Sequence, residues 1–331
     1  MNENIKQTCD LIVENRDALA KKMFWEMDAN AYSIMAGLLT TAGGIEADAA
    51  RYQECKEILK KNAAIFSELR GFSGAMVVIK MMAQADPEAY IKGVSEVYGK
   101  LRNIHKLTAS PYMVMAAMNI YSHQGTDLSD ADIERLEELY KVLKKQHPML
   151  VDDGDRGYLS MIVTSGMDLD TVPGRINDAY EVCKKLSIDK NSVHSMAQIL
   201  AFSDKSPEEK FEFVDGVLKG LAKNHTPISK TEGLAVLGAL ALLNIPREQL
   251  INDITDASNY LKSKSGFRWY NEGKRLRTVY AALAVFLTYA KDKESLAGAI
   301  SANIAMNIAE ELMMLIIMIA IVTSISSSKG R

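Results

Sequence analysis

SPEEKFEFVDGVLKGLAKNHTPISKTEGLAVLGALALLNIP, residues 206–246, decides the fold. Ser206 followed by Pro207 opens a helix, since proline suits the first helical turn, where its missing N–H has no partner to lose. The helix that follows is long, charged and amphipathic, and it is interrupted at Asn224-His225-Thr226-Pro227. A shorter, more apolar helix answers it from about Glu232 to Leu243. A helix that is apolar nearly all round must be covered on several sides. Paired helices of this kind are covered by their neighbours when the pairs stack.

Working outward, the same rhythm recurs. Towards the N-terminus, Val172-Pro173 opens a helix to Leu186 and a second helix to Phe202, with Asn191 or Ser192 as its expected cap. Before it, Asp127-Leu128-Ser129-Asp130 opens a charged helix to Gln146, resumed from Asp152-Asp153 through Val163. Pro87 to His105 is paired with Pro111 to Tyr121, with Ser110 placed as N-cap. Ala47 to Phe66 is paired with Ser73 to Ala85, and residues 3–26 with Ala31 to Thr41. After the central stretch, Gln249 to Leu261 is paired with a helix from about Asn271 to Tyr289. Glycine and proline fall between these segments as punctuation, and no run alternates with period two. Openers at Pro87, Leu128, Val172, Pro207 and Pro246 are spaced by roughly 40 residues, the range of helical-hairpin repeats.

The expected fold is all-α: stacked helical hairpins, an α-solenoid or α/α toroid, in about seven units of roughly 40 residues. One domain over residues 1–331 is expected, with a C-terminal apolar helix at 294–326 docked on it. No tetratricopeptide, ankyrin or leucine-rich signature is present.

With its units laid out, the chain resembles an uncharacterised bacterial helical family, the domain of unknown function numbered 4003. The resemblance rests on length, on the alternation of charged and small-apolar helices, and on His147-Pro148-Met149-Leu150-Val151-Asp152-Asp153. It rests also on the Met- and Ala-rich ending before Ser326-Ser327-Ser328. It implies a fold and carries over no catalytic motif.

Composition bounds the function. With 48% hydrophobic and 24% charged residues the chain has material for a core,. A net charge of −3 gives no basic excess for phosphate neutralisation, so no nucleic-acid partner is expected,. Cys9, Cys55 and Cys183 lie far apart and form no CxxC pair, which fits a reducing cytoplasm,. The polar N-terminus lacks the charged-then-apolar pattern of an export leader.

The segment Leu312 to Val322, LMMLIIMIAIV, carries no polar residue. Counted through Ile325 it is roughly 21 Å long as a helix, short of the ~30 Å hydrocarbon core of a bilayer. A buried helix is therefore expected, filling a groove of the stack or meeting its copy in a homodimer. Membrane docking by this tail is the alternative.

Asp152, Asp153 and Asp155 form the densest acidic group. Such carboxylates can hold Mg²⁺ against a diphosphate; aspartates at a helix start also accept backbone N–H groups and complement the helix dipole. Arg268, Trp269, Lys274, Arg275 and Arg277 gather cations and an aromatic ring in the last hairpin, a candidate anion site,. His105, His147 and His225 recur at the ends of first helices, where a cation-capable ring suits exposed carbonyls. Met113, Met115 and Met118 fit core filling. No nucleophile-elbow, P-loop, zinc-protease or dinucleotide glycine motif is present in a suitable context.

The leading expectation is a helical-repeat binding or scaffolding protein without catalysis or cofactor, its partner a protein or an apolar small molecule. The alternative is an α/α-cavity enzyme acting with Mg²⁺ on an apolar, isoprenoid-like phosphate, the aspartates holding the metal and the basic group the phosphate.

Overall fold

The computed structural model describes residues 1–20, 29–64, 67–70, 73–105, 110–125, 129–267 and 269–291. Among them the regular structure is helical, with no β-strand. The apolar segment 294–326, and Arg268 of the basic group, lie outside the described residues.

The described chain divides into two compact units, one built from residues 15–169 and one from residues 1–14 with 170–291. The helix α1 (Glu3–Ala20) contributes to both.

In the unit 15–169 the helices are α2 (Ala29–Ala42), α3 (Ala49–Asn62), α4 (Gly74–Met82), α5 (Pro87–His105), α6 (Pro111–Gln124), α7 (Ser129–Gln146) and α8 (Asp155–Val163). A 3₁₀ turn, Glu68–Arg70, lies between α3 and α4. Consecutive helices pair as α3 with α4, α5 with α6 and α7 with α8; α3 also packs on α5, α2 on α4 and α6 on α8. The second helices are the covered ones, with every residue of α8 buried and every residue of α4 buried except Lys80. Gly93 makes the α5–α6 contact close: a Cβ there would lie inside the Tyr121 ring.

The other unit holds α9 (Val172–Cys183), α10 (Lys190–Leu200), α11 (Pro207–Lys223), α12 (Gly233–Leu240), α13 (Arg247–Leu261) and α14 (Trp269–Ala290). Here α9 packs on α11 and α11 on α13, while α10 packs on α12 and α12 on α14. The quoted stretch shows why. On α11 only Lys210, Val214, Val217 and Leu221 are buried, a single helical stripe, whereas all eight residues of α12 are buried,. At Gly238 a side chain would meet Met196 of α10 at 3.2 Å, so glycine permits the α10–α12 approach,. The start of α1 is tied to this unit through Asp10, which accepts from Tyr260 at 2.6 Å and Lys264 at 2.8 Å.

Element boundaries follow local chemistry. The helix opens at Ser206-Pro207 as expected, and a capping box closes its start: the Ser206 hydroxyl accepts from Glu209 N at 3.2 Å while Glu209 accepts from Ser206 N at 2.8 Å,. Two expectations are corrected, and the expected N-cap position of Ser110 is found without a side-chain bond. The cap of α10 is Asp189, which accepts from Ser192 N, so the acidic side chain one residue before the helix serves in place of Asn191 or Ser192. Ser110 stands at the N-cap with extended backbone but places no side-chain bond on α6. Helix α3 ends at Asn62 rather than at Phe66, because Ala63 turns extended and Arg70 takes the carbonyls of Lys60 and Ala63.

Candidate functional site

Between the end of α3, the 3₁₀ turn and α5 lies a cleft of about 700 Å³. That size is within the ordinary range of small-molecule sites. Its α5 wall is a helical stripe, Ser95, Tyr98, Gly99, Arg102 and Asn103, at spacings of three and four,. Its opposite wall comes from Asn62, Ala63 and Ala64 at the end of α3, with Ser67 and Leu69 behind.

Tyr98 is the residue that distinguishes the cleft. It is 4% exposed, and its hydroxyl has no hydrogen-bond partner among the described residues. Burial pushes the phenol above its usual range; Arg102 opposes this and the Glu68 carboxylate adds to it. Glu68, partly buried on the adjoining turn, also has an oxygen with no partner among the described residues, and burial raises its carboxyl pKa. Burial thus favours the protonated form of both groups, the form that presents an O–H donor,.

The other polar groups are partly spent. Asn62 donates Nδ2 to Ile58 O at 3.0 Å, leaving its Oδ1 as acceptor. Ser95 donates to Ile91 O at 2.6 Å and keeps acceptor capacity. Ser67 accepts from Leu69 N at 3.3 Å and keeps its own O–H donor. The lining therefore offers both donors and acceptors, with Arg102 supplying a cation,.

The residues singled out in the sequence lie elsewhere. Asp152, Asp153 and Asp155 come together at the start of α8, and their oxygens serve the local backbone and one arginine. Asp152 accepts from Gly154 N at 2.7 Å, and Asp155 from Asp152 N at 2.6 Å. Asp153 accepts from Arg156, which also donates to Glu137 at 3.3 Å and covers the Tyr140 ring at 3.8 Å. Burial raises the Asp152 carboxyl pKa. Among the described residues no group of three His, Cys, Asp or Glu side chains is arranged to hold a metal ion.

In the basic group, Lys274 and Arg275 are exposed while Arg277 is 2% exposed. Arg277 donates to Ser258 O at 3.2 Å and Phe267 O at 3.3 Å, so it ties α14 to the end of α13. The structure thus separates it from the surface cations. Trp269 opens α14, which breaks at Gly273 (φ 71°) before the regular helix begins. His147 directly follows α7, and His225 lies one residue beyond the Asn224 cap of α11, in left-handed backbone (φ 56°). Met113, Met115 and Met118 are buried.

Motif searching missed the cleft because it holds no metal-ligand or nucleophile pattern. A signal was nevertheless present: polar and small residues at 95, 98, 99, 102 and 103 share one helical face. That face lines the cleft opposite the end of α3.

Fold and cleft together define an all-helical protein of paired helices with a polar, ligand-sized groove at a helix-pair junction. The chain belongs to the family described as protein of unknown function (DUF4003), which matches residues 15–324. No curated protein and no solved structure matches it. Among the described residues no helix is long and apolar enough to cross a membrane.

Proposed function

We propose that this protein is a small-molecule binding protein built from stacked helical hairpins, with the α3–α5 cleft as its ligand seat. The contacts of α9 with α11 and α11 with α13, and of α10 with α12 and α12 with α14, support the stacking,. Cys9, Cys55 and Cys183, all buried and unpaired as thiols, support a reducing cytoplasmic setting,.

The observation that carries the reading is the Tyr98 hydroxyl, buried in the cleft wall without a partner among the described residues. An unmade bond at a buried hydroxyl costs about 1–3 kcal/mol, and a ligand oxygen that accepts from it removes that cost. A lining that both donates and accepts suits a polyhydroxyl molecule such as a monosaccharide, a polyol or a nucleoside.

The test is a thermal-shift panel of monosaccharides, polyols and nucleosides on the wild type and on Tyr98→Phe. At least one of these classes stabilises the wild type, with half-saturation about tenfold weaker in Tyr98→Phe, the equivalent of one charged or well-made hydrogen bond. A panel without any stabilising compound, or one acting equally on both proteins, contradicts the reading.

A further inference from the structure

We propose that a second pocket, between α3 and α4, binds a small organic anion, its carboxylate held at the rim and its short apolar tail inside. The pocket has a volume of about 130 Å³. At roughly 30 Å³ per water this is room for about four waters, or an anion of a few carbons.

Its floor is apolar: Tyr52, Leu59 and Val78 are 1%, 3% and 2% exposed. Its rim is cationic, with Lys56 and Lys60 from α3 and Arg70 from the 3₁₀ turn, and among the described residues no carboxylate lines it. Lys56 and Lys60 share a helical face with Tyr52 and Leu59, so one turn of α3 supplies floor and rim together,. Arg70 is fixed by Nη1, which donates to Lys60 O at 3.4 Å and Ala63 O at 3.3 Å, and among the described residues these are the bonds its guanidinium makes.

The far wall is the first turn of α4, through Gly74 and Ala75. Ser73 places no side-chain bond on that turn, and its own buried hydroxyl has no partner among the described residues. The positive end of α4 and three cations thus surround one small volume. Lys60 does pair with Glu57 at 2.7 Å, but both side chains are close to half exposed, and such a pair exchanges readily,.

Floor and rim select the ligand jointly. A hydrated dianion such as phosphate would lose water against Tyr52, Leu59 and Val78 without recovering hydrogen bonds there. A monocarboxylate with a short alkyl tail places each part against matching chemistry.

The experiment uses the full chain at constant ionic strength and follows thermal stability against butyrate, 1-butanol and inorganic phosphate. Butyrate stabilises saturably, with half-saturation in roughly the millimolar range. Lys56→Gln/Lys60→Gln weakens this about tenfold, and Lys56→Arg/Lys60→Arg restores it. Tyr98→Phe leaves it unchanged, which separates this pocket from the proposed ligand seat. Circular dichroism and melting of each variant without additive establish that it is folded. The proposal is overturned if 1-butanol or phosphate matches butyrate, if butyrate has no effect, or if the double glutamine variant responds as the wild type does.

Discussion

The guanidinium carbon of Arg102 lies 5.9 Å from the centre of the Tyr98 ring, one turn back along α5. The charge at the mouth of the cleft and the hydroxyl buried in its wall are therefore borne by stacked side chains. They make unequal contributions to the ligand-free protein. Tyr98→Phe deletes a buried hydroxyl that has no partner among the described residues, so urea denaturation should show a gain of about 1 kcal/mol,. Arg102→Ala removes an exposed cation and should change stability by less than about 1 kcal/mol,. A loss in Tyr98→Phe would mean that the hydroxyl is satisfied within the fold.

Gly93→Ala tests the α5–α6 contact. The added methyl would overlap the ring of Tyr121, which packs edge-on against Tyr90 at 5.4 Å between centroids. Alanine improves helix propensity, but ring displacement outweighs that gain, and a net loss of about 1–3 kcal/mol is expected in urea denaturation. A stabilised variant would show that α5 and α6 lie further apart.

Arg156→Met tests the polar link between α7 and α8. Arg156 and Glu137 have side chains 3% and 4% exposed and meet at 3.3 Å. Removing the cation leaves a buried carboxylate without this counter-charge, at a cost of about 3–5 kcal/mol by chemical denaturation. A loss below about 1 kcal/mol would place the pair in water.

Lys210→Met carries a pH signature. Lys210 is 5% exposed on α11, and its ammonium pKa is lowered by burial first and by Arg175 second. A lysine whose folded pKa lies below its unfolded value disfavours folding while charged, and stability rises as pH climbs from the folded pKa to the unfolded one. The methionine variant should therefore be the more stable protein at pH 7, with its advantage shrinking as pH approaches the ordinary lysine range. Parallel stability curves for the two proteins would exclude a buried charge at this position.

Helix order was legible in the sequence because punctuation and apolar stripes coincide. Pro87–His105 matches α5 end to end, and Ser206-Pro207 announced the start of α11. The end of α3 was not legible, since Arg70, distant in sequence, draws its carbonyls away from the helix. The cleft was harder still. The stripe from Ser95 to Asn103 reads as an ordinary solvated helix face until the end of α3 and the 3₁₀ turn are brought opposite it. Burial of Arg277 was equally hidden, because sequence marks a cation without saying that backbone carbonyls of Ser258 and Phe267 receive it.

The most direct measurement of the central claim is hydrogen–deuterium exchange on the full chain, with and without the panel compound that stabilises it best. The account predicts slowed exchange centred on residues 67–70 and 95–103, the turn and the α5 face that line the cleft,. Slowing confined to other segments, such as α13 and α14, would contradict it, as would an unchanged exchange pattern under saturating ligand.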